Sequence, residues 1–159
     1  MRMSPDSGVQ VDGQGRRVAV VVARFNREVT DKLCEGAFKK LLDCGVHAEA
    51  IEVFEVPGAF ELPLACKLAT DSGRFDALVA LGAVIRGDTD HYVYVCAETS
   101  RGIAELQLRT RVPIGFGLLT CDTPEQAMAR AGGSAGNKGE DAALAALEMC
   151  ALRARLAAD

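Results

Sequence analysis

Residues 17–23 read RVAVVVA, and this run constrains the fold more than any other feature of the chain. Its valines and alanines follow one another with no polar residue between them. A strand built from them has no face that can meet water, so it belongs in a parallel sheet covered by helices on both sides. Residues 77–85, ALVALGAVI, repeat the pattern between Asp76 and Arg86. That run has strand length and is far too short to cross a membrane.

The segments around these runs carry helical spacing. Asn26 is expected to cap a helix in which Val29, Leu33, Ala37 and Leu41 recur every fourth residue, with Gly45 ending it. Residues 50–56 form a second strand, closed by Pro57-Gly58. A helix with Leu62, Cys66 and Leu68-Ala69 on its apolar side runs to Ser72-Gly73. After the strand at 77–85 comes the loop Arg86-Gly87-Asp88-Thr89-Asp90. A long helix follows, with Val95, Thr99, Gly102, Ile103 and Leu106 on one face. Its other face holds Glu98, Arg101, Glu105 and Arg109 at ion-pair spacing. Residues 113–119 are a fourth strand. Thr123-Pro124-Glu125-Gln126 supplies a capping hydroxyl, a proline at the first helical position and a glutamine three residues after the cap. The glycine-rich turn 132–136 leads to Asn137, which caps an Ala- and Leu-rich last helix with Glu140 three residues on. This alternation predicts a three-layer α/β/α sandwich around a four-stranded parallel sheet. One domain is expected over 17–159, behind a flexible polar arm over 1–16.

Composition narrows the function. A chain of 159 residues is long enough to bury ~70% of the surface its unfolded form exposes. Hydrophobic residues at 49% and charged residues at 25% exclude a disordered chain. A net charge of −4, a pI near 5.2, no Trp and 5% aromatics give no footprint for nucleic acid. No stretch has the length of a membrane span, and the N-terminal residues lack the apolar centre of a signal peptide, so a cytoplasmic location is expected. Cys34, Cys44, Cys66, Cys96, Cys121 and Cys150 show neither CxxC nor His-paired metal spacing. They read as buried free thiols, with no metal site.

In a parallel sheet, ligands bind beyond the carboxyl ends of the strands. The loop after the first strand, Arg24-Phe25-Asn26, offers an aromatic ring for a planar ligand, or a hydrophobic staple for the next helix. The second loop brings Ala59, Phe60 and Glu61 to a helix start, where the carboxylate equally complements the helix dipole. The third, from Gly82 to Thr89, has the glycine spacing of a nucleotide phosphate loop. Asp88 stands where that loop needs a lysine, which rules out a nucleoside triphosphatase. What remains is Gly87-Asp88-Thr89 at a helix start, where backbone N–H groups can hold a phosphate monoester. His91 lies on the first turn of that helix, placed either as a proton shuttle or as a structural residue. Phe116 sits on the fourth strand, and Arg130 and Lys138 flank the glycine turn as phosphate-binding or merely solvated cations.

Taken in order, these motifs resemble the lumazine synthases. The resemblance is carried by Arg24-Phe25-Asn26, the stretch from Val56 to Pro63, and Leu81 to Gly87 with Thr89 and His91. It continues through Gly117-Leu118-Leu119-Thr120, Glu125-Gln126-Ala127, Arg130-Ala131-Gly132 and Ala135-Gly136-Asn137-Lys138-Gly139. It implies a flavodoxin-like doubly wound strand order and a condensation of 5-amino-6-(D-ribitylamino)uracil with 3,4-dihydroxy-2-butanone 4-phosphate. The product would be 6,7-dimethyl-8-ribityllumazine, made without a cofactor in the penultimate step of riboflavin biosynthesis. By the same resemblance Phe25 would stack on the pyrimidine, and Ala59, Phe60 and Glu61 would hold the ribityl chain. Val84 and Ile85 would line the pyrimidine pocket. Asp88, Thr89, Arg130 and Lys138 would bind the phosphate, Phe116 would wall the pocket, and His91 would shuttle protons. The sites would lie between adjacent subunits of a homopentamer, and some members build an icosahedral shell from pentamers. The chain departs from many members at Ser134, where they carry a lysine, and at Val93, where they carry an acidic residue. The alternative is a non-catalytic flavin- or lumazine-binding or shell-forming protein.

Overall fold

The computed structural model describes residues 10–157. Its centre is a four-stranded parallel sheet in the order β2-β1-β3-β4, with β1 at Val18–Ala23, β2 at Ile51–Val56, β3 at Ala77–Ile85 and β4 at Ile114–Cys121. This is the flavodoxin-like order expected above. The valine run behaves as its composition requires, since all six residues of β1 are buried. Val18, Val20 and Val22 face one hydrophobic layer, while Ala19, Val21 and Ala23 face the other.

Helices α1 (Arg27–Asp43) and α5 (Lys138–Ala157) supply the first layer, with Leu33, Leu41, Ala143 and Leu147 against β1 and β3. Helices α2 (Leu62–Asp71) and α3 (His91–Thr110) supply the second, through Leu62, Cys66, Ile103 and Leu106. The expected apolar side of α2 needs one correction. Leu68 falls two residues past Cys66, on the opposite side of a helix that turns 100° per residue, and it is 62% exposed. On α3, the anticipated run of ion pairs reduces to Glu98–Arg101 at 3.9 Å among the described residues.

Boundaries shift for identifiable reasons. Ala50 closes a 3₁₀ turn at Ala48–Ala50, so β2 begins at Ile51. β4 runs past residue 119 because β3 continues to pair with it through Val84↔Thr120 and Ile85↔Cys121. Gly45 ends α1 as anticipated: at φ +96° its N–H reaches Leu42 O and that of Val46 reaches Leu41 O, a double closure open to glycine and strained for other residues. Beyond the short helix α4 (Pro124–Ala129), the glycine-rich stretch forms a small antiparallel hairpin of β5 (Ala131–Gly133) and β6 (Gly136–Asn137). Of the expected arm, residues 1–9 lie outside the described region. Within 10–16, Gly13 is buried and its N–H donates to Cys44 O at 2.7 Å.

Helix α5 sits close enough to its neighbours to forbid side chains at two points. A Cβ on Gly139 would overlap the Leu33 carbonyl of α1, and one on Gly115 would overlap the Ala142 carbonyl of α5. Both neighbours are backbone and cannot rotate aside. Gly139→Ala should therefore lower stability by about 1–3 kcal/mol or more, measured by urea unfolding; an unchanged midpoint would show that the seam has room.

All six cysteines are free, with Cys66, Cys121 and Cys150 buried and the others half-buried. Burial pushes the Cys66 thiol up from 9.0 to about 12. Below pH 9 folded and unfolded chains both keep this proton, and its contribution to stability is complete. As the pH rises from 9 toward 12 the unfolded chain releases the proton first, and that contribution is lost at ~1.4 kcal/mol per unit. The stability advantage of the parent over Cys66→Ala should shrink by about 2 kcal/mol between pH 8 and pH 10.5. A constant difference would contradict the assigned burial.

Candidate active site

All four strands of the sheet point the same way, so the loops after β1, β2 and β3 share one edge. The first two are tied together by backbone: Arg24 N donates to Val56 O at 2.8 Å and Phe25 N to Pro57 O at 3.1 Å. Phe25 is 72% exposed and Phe60 61%, so two aromatic rings stand in solvent at this edge. Asn26 lies between β1 and α1 in the left-handed region, with φ 62° and ψ 46°. It does not cap α1 with its side chain as anticipated. Its carbonyl accepts from Val29 N and Thr30 N, while its Nδ2 donates to Ala83 O at 2.8 Å. The last β1–β3 pair is Val22↔Leu81, so the Asn26 amide continues the connection to β3 where β1 has ended.

Ala59, Phe60 and Glu61 form a 3₁₀ turn leading into α2. Ala59 is buried, and its carbonyl accepts from the buried Thr99 hydroxyl of α3 at 3.3 Å. Phe60 and Glu61 face solvent. At the end of β3, Val84 and Ile85 are half-buried, and residues 86–90 leave the sheet as an exposed loop. His91 is the first residue of α3 and is exposed, with its backbone N 3.4 Å from Thr89 Oγ1. Asp88, Thr89 and His91 thus occupy the helix start at which the sequence located them. Val93 is 50% exposed two residues further on.

Phe116, Arg130 and Lys138 come together elsewhere. They line a cavity of about 270 Å³ with residues 118–121, along the outer edge of the sheet at β4. Arg130 Nη1 donates to Gln126 O at 3.0 Å, and Lys138 Nζ meets Asp141 Oδ2 at 3.1 Å. Lys138 is placed by the cap beside it: Asn137 Oδ1 accepts from Gly139 N and Glu140 N, as expected, and its Nδ2 donates to Lys32 O. Ser134 is exposed in the turn between β5 and β6. Its lining comes from β4, from Arg130 just past α4 and from Lys138 at the start of α5, and none of it from the loops after β1, β2 or β3. The single chain therefore carries two groups of candidate site residues. One lies beyond β1, β2 and β3, and the other along the outer edge strand.

Residues 15–154 match the family model of 6,7-dimethyl-8-ribityllumazine synthase. The chain belongs to this family. Curated relatives bearing that name include one from Gemmatimonas aurantiaca, 57% identical over 137 residues that cover 86% of this chain and 84% of the relative. One from Desulfovibrio desulfuricans is 52% identical over 139 residues, covering 87% and 89%. One from Halorhodospira halophila is 50% identical over 156 residues, covering 98% and 100%. The span matched by the family model contains every candidate residue described above, in both groups.

Residues that sequence reasoning passed over are Arg86, Tyr92 and Asp122. Arg86 Nε donates to Asp122 Oδ1 at 2.8 Å, and its guanidinium lies 4.2 Å from the centre of the Tyr92 ring. The one available signal was Gln126, read as the partner in a capping box. Its Oε1 accepts from Asp122 N rather than from the cap residue, while Thr123 Oγ1 accepts from Gln126 N.

The Asn26 geometry separates two contributions. Asn26→Ala should lose the Ala83 hydrogen bond and place a Cβ-bearing residue without a local polar partner in the left-handed region, for about 2–3 kcal/mol in total. Asn26→Gly loses the bond alone and should cost about 1 kcal/mol. Equal urea midpoints for the two variants would show that the backbone conformation carries no strain.

Proposed function

We propose that this chain condenses 5-amino-6-(D-ribitylamino)uracil with 3,4-dihydroxy-2-butanone 4-phosphate to 6,7-dimethyl-8-ribityllumazine, releasing phosphate and water. The reading is carried by membership of the 6,7-dimethyl-8-ribityllumazine synthase family along nearly the whole chain. It makes the chain a transferase of riboflavin biosynthesis.

In this reading the exposed ring of Phe25 stacks on the pyrimidine, and Ala59, Phe60 and Glu61 hold the ribityl chain. Val84 and Ile85 line the pyrimidine pocket through their backbone. Asp88 and Thr89 offer backbone N–H groups to the phosphate at the start of α3, and Arg130 clamps the same phosphate with Lys138 nearby. Phe116 walls the pocket. His91 moves protons as the amine attacks the ketone, water leaves through an imine, phosphate is eliminated and the ring closes. Nothing in this sequence of steps calls for electron transfer.

That the cavity of Phe116, Arg130 and Lys138 has no wall residue from the loops after β1, β2 and β3 supports a site assembled from two copies, with Phe25 to His91 from one chain and Phe116, Arg130 and Lys138 from its neighbour. We place these sites in a homopentamer. The short turn between β5 and β6 is compatible with further packing of pentamers into a shell. Six free thiols suit a reducing compartment, and the reading puts the enzyme in the cytoplasm.

Two terms divide the rate. Holding both substrates in register contributes through lost translational freedom, and proton transfer by one side chain is worth ~100- to 10,000-fold. With both substrates, lumazine absorbance should grow faster than in a protein-free blank. His91→Ala should lower kcat by about 100-fold and still exceed the blank. Arg130→Ala should raise KM for the butanone phosphate by about 10- to 100-fold and leave KM for the pyrimidine unchanged. A trace no faster than the blank from assembled protein would overturn the reading, and an unchanged KM in Arg130→Ala would overturn that assignment.

A further inference from the structure

The loop at residues 86–90 has little of its own to hold it. All five residues are exposed, and Gly87 sits in open space. At its exit Thr89 and Asp90 accept from backbone N–H groups of α3, and at its entry Arg86 ties it to the sheet. Arg86 N donates to Cys121 O at 2.9 Å, continuing the β3–β4 ladder by one bond. Its guanidinium then works in two directions. The edge pairs with Asp122 at 2.8 Å, and the face covers Tyr92 at 4.2 Å. Tyr92 lies beyond the loop, on the first turn of α3 next to His91. Arg86 therefore joins the two ends of the loop to each other and both to the end of β4.

The far side of this staple is anchored through its backbone. Asp122 N is bound by the Gln126 side chain at 2.8 Å, and Gln126 N is bound by the Thr123 hydroxyl, so the cap of α4 holds the carboxylate's backbone in place. The Arg86–Asp122 pair is itself half-exposed, at 50% and 64%. Such a pair adds little to global stability. It can still select among loop conformations, because a loop without buried contacts has only small free-energy differences to overcome.

We propose that Arg86 is a positioning residue: its paired contacts with Asp122 and Tyr92 hold the 86–90 loop and the start of α3 in the form that presents the Asp88 and Thr89 amides and the His91 ring to the phosphate-bearing substrate. The proposal rests on the roles given to Asp88, Thr89 and His91 above. It requires arginine specifically. A planar guanidinium offers a carboxylate-matching edge and a ring-matching face at once, whereas a lysine ammonium is a point charge that serves one partner at a time.

The test compares Arg86→Lys, Asp122→Asn and the double variant with the parent enzyme, after each is shown to unfold at the parent's urea midpoint. Each single variant should lose about three- to tenfold in kcat/KM for the butanone phosphate, as expected for one exposed ion pair with its ring contact. KM for the pyrimidine should stay unchanged. The double variant should be no worse than the weaker single one, because both break the same staple. Amide hydrogen exchange at residues 87–91 should quicken in all three. Parent-like kinetics in Arg86→Lys would reduce the role to charge alone, and multiplying losses in the double variant would show two independent effects. Either result overturns the proposal, as does unchanged exchange. If Arg130→Ala leaves the phosphate KM untouched, the site assignment fails instead, and the exchange rates still judge the staple on their own.

Discussion

Sealing β1 and most of β3 from water on both faces sets the terms for the rest of this molecule. A strand whose two faces are apolar needs two layers of helix, and those layers leave no polar face free for chemistry. Chemistry is displaced to the rim. The carboxyl end of the sheet is where strands stop, backbone groups lose their ladder partners and helix starts offer unpaired N–H groups. Phe25, Phe60, Glu61, Asp88, Thr89 and His91 stand at such terminations and are exposed, while Ala59, Val84 and Ile85 join them to the core.

The rim is held by single hydrogen bonds, some from side chains and some from backbone, beyond the points where the ladders stop. Asn26 extends the β1–β3 connection to Ala83, Thr99 anchors the turn that presents Phe60 and Glu61, and Arg86 extends β3 toward β4. These three contacts share a form. Each joins the end of one element to a neighbour through a single polar group, so the loops are fixed at few points. A framework of this kind positions exposed rings and amides without burying them, which leaves them free to meet a ligand.

The sequence made the layers legible because burial on both faces leaves an unbroken apolar run, and helical faces leave a repeat. β1, β3 and the longer helices followed from those two patterns, whereas α4 was legible through its capping motif and the strand order through the family resemblance. Finer features failed where the deciding partner lies far along the chain. Asn26 reads as a helix cap, yet its amide goes to Ala83, 57 residues away. Strands of three and two residues in β5 and β6 are too short to show any period. The motifs located the candidate site residues, but spacing alone could not show that Phe116, Arg130 and Lys138 gather at the outer edge of β4. That grouping depends on strand order, which brings β4, Arg130 at the end of α4 and the start of α5 to one cavity.

The distribution of cysteines has a practical consequence. Cys66 belongs to the layer of α2 and α3, whereas Cys121 and Cys150 belong to the layer of α1 and α5. Burial raises all three thiols and so suppresses the reactive thiolate in the closed protein. At Cys66 and Cys150 a thiol-directed dye would have to wait for the helical layer to lift from the sheet before it could react, unlike at the half-buried Cys34, Cys44 and Cys96. The two sides of the sandwich thus carry separate native clocks, and the labelling rates of Cys66 and Cys150 would time the breathing of each helical layer without an engineered cysteine.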